Sequence, residues 1–238
     1  MATREVPPHP SGHPHCNKVQ QLQHGVWSGS ELVAVCDADL IWLDPHRLPP
    51  VQFAAKVVDR PNPPEDRWRK LLQDAGFSPV LVPVDVTDSP QERTASTNFN
   101  GGLYLLDVKL APELAEAWNE RLRWLGSREA ILEGFAVHRD QVALALALLD
   151  LGVCPVHLDR GWNFPTHLDA RLLSRPIVHI RALHHHDRRD QTGKLLPVGV
   201  DWIDEAVAQA NEVLDSMLRA FGARQAVLGR PGSDRLPH

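Results

Sequence analysis

The sequence has few cysteines and no long apolar run. Its 238 residues include three cysteines, Cys16, Cys36 and Cys154, and their odd number and wide spacing favour free thiols in a reducing compartment. No stretch is long and apolar enough to predict a membrane-spanning helix. The first eight residues lack the apolar core of a signal peptide. We therefore expect a cytoplasmic protein.

Positive charge is also scarce. The 25 lysines and arginines are outnumbered by 30 aspartates and glutamates, which gives a formal net charge of -5 and a pI near 6.2. This balance excludes a generally basic surface of the kind that binds nucleic acid or anionic membranes. The 20 prolines and seven tryptophans indicate rigid loops around a packed core rather than a helical bundle.

The order of predicted elements indicates one α/β domain. Residues 1–15, rich in proline and histidine, predict a flexible arm, residues 16–221 the domain, and residues 222–238 a frayed tail. Apolar runs predict strands within 31–43 and at 53–58, 79–86, 103–108 and 176–180. Helical periodicity predicts helices at 17–27, 66–75, 112–125, 139–149 and 201–221. Such alternation is typical of an α/β fold.

The tripeptide Asp37-Ala38-Asp39 is the most informative feature of the chain. It directly follows the apolar residues 32–36, which predict a buried strand. Two carboxylates one residue apart at a strand's carboxyl end can both reach one hard cation, and open α/β sheets bind ligands at that end. Carboxylate oxygens suit Mn²⁺ or Mg²⁺, which complete their coordination with phosphate and water. Most isolated Asp-x-Asp sequences, however, are loop or cap residues.

Five segments together resemble the GT-A glycosyltransferases, and among them the glycogenin-like, retaining type. Val35 to Pro45, Val-Cys-Asp-Ala-Asp-Leu-Ile-Trp-Leu-Asp-Pro, resembles their metal motif. Four more segments resemble family motifs in the family's order: Phe99 to Asp107, His138 to Gln141, Trp162 to Pro165 and Pro176 to Ile180. The resemblance implies a GT-A-like mixed sheet flanked by helices.

The resemblance also implies a function and a site. The chain would transfer a hexose from a nucleotide diphosphate sugar, with a UDP-sugar favoured, to an acceptor that the sequence does not identify. Mn²⁺, or else Mg²⁺, would be the cofactor, and a histidine beside two carboxylates suits Mn²⁺ better. The implied metal ligands are Asp37, Asp39 and His179. The implied catalytic residues are Asp140 and Gln141, and the implied substrate-binding residues are Asp37, Ala38, Asn100, Gly101, Gly102, Trp162 and Asn163.

The sequence departs from the family pattern in several places. Only 36 residues precede Asp37, so we expect a domain that lacks its first β-α-β units. A sheet without its first strands would expose an edge, which favours association with a partner such as a second copy. Val142 stands where the family has a second acid. The run His184 to His186 predicts a solvated loop, or a pyrophosphate contact, with Gly193-Lys194 the nearest match to the family's basic segment.

Two other functions stay open at this point. The first is a non-catalytic remnant or interaction protein of the same ancestry, favoured by the short N-terminal side. The second is a phosphatase similar to the haloacid dehalogenases, which also place Asp-x-Asp after a strand and use the first aspartate as a covalent nucleophile. That family has threonine or valine after the motif, where this chain has Leu40.

Overall fold

The computed structural model describes residues 5–25, 27, 29–44, 50–84, 91–168 and 179–228. Over these residues the fold is mixed α/β, as the sequence predicts. The helices are α1 (Asn17–His24), α2 (Glu65–Asp74), α3 (Ala111–Gly126), α4 (Arg139–Asp150) and α5 (Asp201–Leu228). The strands are β1 (Leu32–Cys36), β2 (Leu40–Trp42), β3 (Phe53–Val57), β4 (Leu81–Pro83), β5 (Arg93–Ala95), β6 (Phe99–Asp107), β7 (Val156–His157), β8 (Phe164–Pro165) and β9 (Ala182–His184).

The main sheet has the strand order β1-β6-β3-β7. Strand β6 is antiparallel to both of its neighbours, whereas β7 is parallel to β3. The long central strand β6 is buried on both faces from Gly101 to Leu106. In β1, Val33 and Val35 are buried and Ala34 is exposed, the alternation of a strand with one face on the core.

A second, smaller sheet has the order β2-β9-β8, and β4 pairs with β5 in a third. The chain crosses from the main sheet into the second sheet through Asp37-Ala38-Asp39. The backbone N–H of Asp37 donates to the carbonyl of Gly102 at 3.1 Å, and that of His185 donates to the carbonyl of Asp39 at 3.2 Å. The acidic tripeptide therefore lies at the junction of the two sheets, held by backbone hydrogen bonds on both sides.

Helices cover both sheets. On the main sheet, α3 packs against α1 and α4, and α4 is buried all round from Val142 to Leu148, as its uniformly apolar sequence predicts. On the second sheet, α5 packs Ile203 and Val207 against the buried residues of β8 and β9. None of the helices described combines the length and apolar character needed to cross a bilayer.

Some element boundaries differ from those predicted. Helix α1 ends at His24 rather than residue 27, because Gly25 adopts an extended conformation. Helix α5 continues to Leu228, beyond the predicted end at residue 221. In the predicted strand 176–180, residues 176–178 lie outside the described residues and residues 179–180 are not in a strand; β9 follows instead. Residues 85–86 of the predicted strand 79–86 also lie outside the described residues. In the N-terminal segment, His9 hydrogen-bonds to Asn17 and Asn119.

Candidate metal and substrate site

A cavity of about 570 Å³ opens at the junction of the two sheets. It brings together most of the residues that the sequence predicts for the site. Those that line it are Asp37, Ala38, Asp39, Asn100, Gly101, Gly102, Asp140 and Gln141. A larger groove of about 940 Å³ runs between the N-terminal segment, α1 and α3, but it is lined by none of these residues.

The acidic tripeptide faces a buried histidine at the end of β9. The Nε2 atom of His184 lies 3.2 Å from Oδ1 of Asp39 and 3.8 Å from Oδ2 of Asp37. The His184 side chain is 3% exposed, whereas the two carboxylates are about a third exposed toward the cavity. A side-chain hydrogen bond with His184, which needs a proton on Nε2, is the main reason that the pKa of Asp39 lies well below its usual range, although burial opposes it.

A second imidazole lies against the first. The ring of His186 stacks on that of His184 with centroids 3.7 Å apart. The ring of His167 contacts the His186 ring edge-on, with centroids 3.9 Å apart. Potential ligand atoms of Asp39, His184 and His186 all lie within 4.8 Å of one another, the one such group among the residues the structure describes. One carboxylate oxygen and two imidazole nitrogens are suitable protein ligands for a divalent metal ion.

A chain of hydrogen bonds fixes which nitrogen of His184 carries a proton. It starts at the backbone N–H of Gly102, which can only donate, and which bonds to Oδ1 of Asn100 at 2.9 Å. The amide nitrogen of Asn100 therefore points the other way, to Oδ2 of Asp59 at 2.7 Å. Asn163 donates its own Nδ2 to Oδ1 of Asn100 at 3.0 Å. This orientation leaves Oδ1 of Asn163 facing Nδ1 of His184 at 3.0 Å, so Nδ1 must be the donor.

This tautomer has a consequence for the opposite side of the ring. With Nδ1 protonated, Nε2 of a neutral His184 presents a lone pair to the Asp39 carboxylate, and lone pair and carboxylate repel each other. A cation is therefore required between them, either a proton on Nε2 or a metal ion. Metal-binding histidines commonly have this arrangement, in which one ring nitrogen donates to an oxygen of the protein and the other is left for the metal.

Lys18 is a site residue that sequence reasoning missed. It extends from α1 and places Nζ 2.6 Å from Oδ1 of Asp37, with its own side chain only 7% exposed. A signal was present in the sequence, because Lys18 lies four residues before Leu22, which helical periodicity places on the apolar face of this helix. A lysine on the buried stripe of an amphipathic helix needs a buried anionic partner.

The two glycines of β6 allow close packing at the cavity floor. A Cβ atom on Gly102 would lie 2.5 Å from Nδ1 of His184 and 2.7 Å from the Asn163 amide, too close for either group. A Cβ on Gly101 would lie 3.2 Å from both Nε2 of Gln141 and Nζ of Lys18. Glycine is therefore required at position 102 for a steric reason, because the side chains of the second sheet reach the strand there.

Asp140 and Gln141 form the polar part of the floor, at the start of α4. The side chain of Asp140 is almost fully buried, and burial raises its pKa to about 6 despite the opposing charge of Lys18. Oε1 of Gln141 is buried and has no hydrogen-bond partner among the described residues. Asp140 and Gln141 line the cavity and suit a ligand with hydroxyls.

Three predicted residues lie outside the cavity lining. The structure places His179 against Asp44, with Nε2 2.5 Å from Oδ2, rather than with the acidic tripeptide. The histidine that reaches Asp39 is His184, because β9 ends four residues later than the predicted strand. Trp162 packs edge-on to Trp42 with centroids 6.5 Å apart. Asn163 also lies behind the lining, where it orients His184.

The three consecutive histidines do not form the solvated loop that the sequence predicts. His184 and His185 are 2% and 5% exposed, because His184 ends β9 between β2 and β8 and the backbone N–H of His185 bonds to Asp39. Only His186 is exposed, and its ring is held against His184. Gly193 and Lys194 do not line the cavity. The short apolar dipeptide before His184 was the signal that could have predicted a strand here.

Comparisons with solved structures give a likeness of fold, whereas comparisons of sequence give none. No protein-family model matches the chain, and no curated protein matches its sequence. Among solved structures, the chain is similar to the crystal structure of mouse xyloside xylosyltransferase 1 in its apo form, with a TM-score of 0.42 and 16% sequence identity. The match covers 77% of this chain and 68% of that chain.

Proposed function

We propose that this chain is a metal-dependent glycosyltransferase that moves a hexose from a nucleotide diphosphate sugar, with a UDP-sugar favoured, to an acceptor. One observation carries the proposal. A group of potential metal ligands, Asp39, His184 and His186, borders the same cavity as Asp37 and a floor of hydrogen-bonding side chains. A divalent ion beside a cavity of this size suits a substrate that joins a diphosphate to a polar ring.

The residues present fit a metal ion. Nδ1 of His184 is tied to Asn163, so Nε2 faces Asp39 and is the atom that would bind the metal. His184 thus takes the role that the sequence resemblance implied for His179. A bound ion would stabilise the negative charge that develops on a departing nucleoside diphosphate. Lys18, which is paired with Asp37, adds a fixed positive charge to the lining of the same cavity.

The floor of the cavity is the proposed sugar site. The buried carboxyl of Asp140 and the unpartnered Oε1 of Gln141 can bond to hydroxyl groups. Gly101 and Gly102 line the cavity, and the absence of side chains on them lets Gln141 and His184 approach β6 closely. Asn100, which the sequence assigned to substrate binding, lines the cavity and also orients Asn163.

Titration calorimetry of UDP, with and without Mn²⁺, tests the proposal. We expect metal-dependent binding that Asp39→Ala abolishes and that the matched change Asp44→Ala retains, since Asp44 does not line the cavity. Donor-sugar hydrolysis should follow the same pattern. A well-folded protein that binds no UDP under any of these conditions would overturn the proposal and favour a non-catalytic role. Trapping of a phosphorylated Asp37 with a phosphate ester would favour a phosphatase instead.

A further inference from the structure

The donor set of the candidate metal site is rich in nitrogen. Two of the three residues whose ligand atoms lie within 4.8 Å of one another are histidines, His184 and His186. Imidazole nitrogen suits borderline transition metals such as Zn²⁺ and Co²⁺, whereas Mg²⁺ is bound by carboxylate, carbonyl and water oxygens. The three side chains also leave coordination positions for a ligand of the cavity.

The carboxylate charge at the site is lower than the two aspartates suggest. Asp37 is already paired with the ammonium group of Lys18 at 2.6 Å, and its other oxygen is 3.8 Å from His184. Asp39 is therefore the one carboxylate of the pair that is not matched to a lysine. A hard ion that binds mainly through charge and oxygen donors gains little from such a site.

The backbone at His186 indicates that the second imidazole is held in place. His186 and Asp187 both have left-handed backbone conformations, with φ of 44° and 61°, which are uncommon outside glycine but which histidine and aspartate adopt more often than most residues. The turn lays an exposed imidazole on the His184 ring at a centroid distance of 3.7 Å. The position of the His186 ring is therefore set by this turn and by its contact with His184.

We propose that the site binds a borderline transition metal through two imidazoles, those of His184 and His186, together with the Asp39 carboxylate, and that it discriminates against Mg²⁺. The inference rests on the metal dependence in the proposed function and specifies which ions can serve. His186 is then a metal ligand, and the left-handed turn at residues 186–187 lays its ring beside that of His184.

The test counts the imidazoles bound to a metal ion. Metal-free full-length protein is loaded with Cu²⁺, and pulsed electron paramagnetic resonance counts the coordinated imidazole nitrogens. We expect two in the unmodified chain and one in His186→Asn, a change that keeps the turn because asparagine tolerates the left-handed conformation. The matched variant His185→Asn, one residue away, should retain two, since His185 is outside the ligand group.

Affinities provide the second measurement. In competition with a chromophoric chelator, His186→Asn should weaken Zn²⁺ and Co²⁺ binding by at least about tenfold and leave Mg²⁺ binding unchanged. One imidazole in the unmodified chain, or equal Zn²⁺ affinities in the two variants, would overturn the inference. UDP calorimetry separates this result from the proposed function. Metal-dependent UDP binding by a protein whose metal ion has one bound imidazole would overturn the inference but not the function. Two bound imidazoles in a protein that does not bind UDP would overturn the function but not the inference.

Discussion

Nδ1 of His184 lies 3.0 Å from Oδ1 of Asn163, and this contact sets the chemistry of the site from behind the cavity wall. Asn163 is 1% exposed and does not line the cavity. It nevertheless decides which nitrogen of His184 faces Asp39, because its own amide is oriented by Asn100. The site therefore depends on residues of β6 and on the segment just before β8, as well as on the acidic tripeptide.

Asn163→Leu should release the His184 ring. Without an acceptor for its Nδ1–H group, the imidazole can place its proton on Nε2 and lose the lone pair that faces Asp39. We expect metal affinity to fall about 10–100-fold, the usual cost of losing such a supporting contact. Chelator competition with Zn²⁺ or Mn²⁺ measures the change.

Asn163→Asp is the matched control for that change. It keeps an oxygen acceptor for Nδ1 of His184 but loses the amide that donates to Asn100. Both variants should therefore lower the free energy of unfolding, whereas only Asn163→Leu should lower metal affinity strongly. Equal losses of metal affinity in the two variants would mean that Asn163 acts through packing alone.

Gly102→Ala should damage the site more than Gly101→Ala. The new methyl at position 102 would lie 2.5 Å from Nδ1 of His184, which is buried and cannot move aside. At position 101 the methyl would meet only the ends of the Gln141 and Lys18 side chains, both at 3.2 Å. We expect Gly102→Ala to cost about 1–3 kcal/mol of unfolding free energy and most of the metal affinity. Urea unfolding and metal titration of the pair of variants measure both effects, and equal effects at the two positions would contradict the packing argument.

Lys18→Gln should move metal affinity and nucleotide affinity in opposite directions. The substitution removes the ammonium group that lies 2.6 Å from Asp37, so the cavity lining gains an unpaired negative charge. A divalent ion should therefore bind more tightly, by roughly tenfold or more. A nucleoside diphosphate should bind more weakly, because a fixed positive charge near its phosphates is gone. Lys109→Gln, an exposed change outside the cavity lining, serves as the control in calorimetry with Mn²⁺ and with UDP. A parallel fall of both affinities would show that Lys18 is needed for folding of the site rather than for its charge.

Local sequence patterns predicted the five helices, several strands and one side of the site. The apolar run from Leu32 to Cys36, followed by Asp37 and Asp39, was sufficient to place a strand and its acidic turn, which the structure contains. The uniformly apolar α4 was likewise recognisable as a buried helix. These features depend on residues close together in the chain, whose periodicity is visible without the fold.

Local sequence pattern does not show which histidine contacts Asp39. Ile177-Val178-His179 and Ala182-Leu183-His184 are both apolar pairs followed by histidine, and only the pairing of β9 with β2 brings one of them to Asp39. That pairing joins segments far apart in sequence. Two other contacts of the site also join residues that are distant in the sequence: the ion pair of Lys18 with Asp37 and the hydrogen bond of Asn163 to Asn100.

Asp140 should make the protein less stable as the pH rises. Burial raises the pKa of its carboxyl from 3.8 to about 6, so between these values the folded state binds more protons than the unfolded state. The free energy of unfolding therefore falls with increasing pH across this window, by about 2–3 kcal/mol from this group, and the penalty is fully present above it.

Asp140→Asn removes the ionisation, so its stability relative to the unmodified chain should rise from about pH 4 to about pH 6 and then level off. Urea unfolding across that range measures the difference. The matched change Asp150→Asn, at the exposed end of α4 where Arg121 bonds to the carboxylate, should show no such gain. A flat difference for Asp140→Asn would mean that water or a cation reaches the carboxyl beneath Lys18.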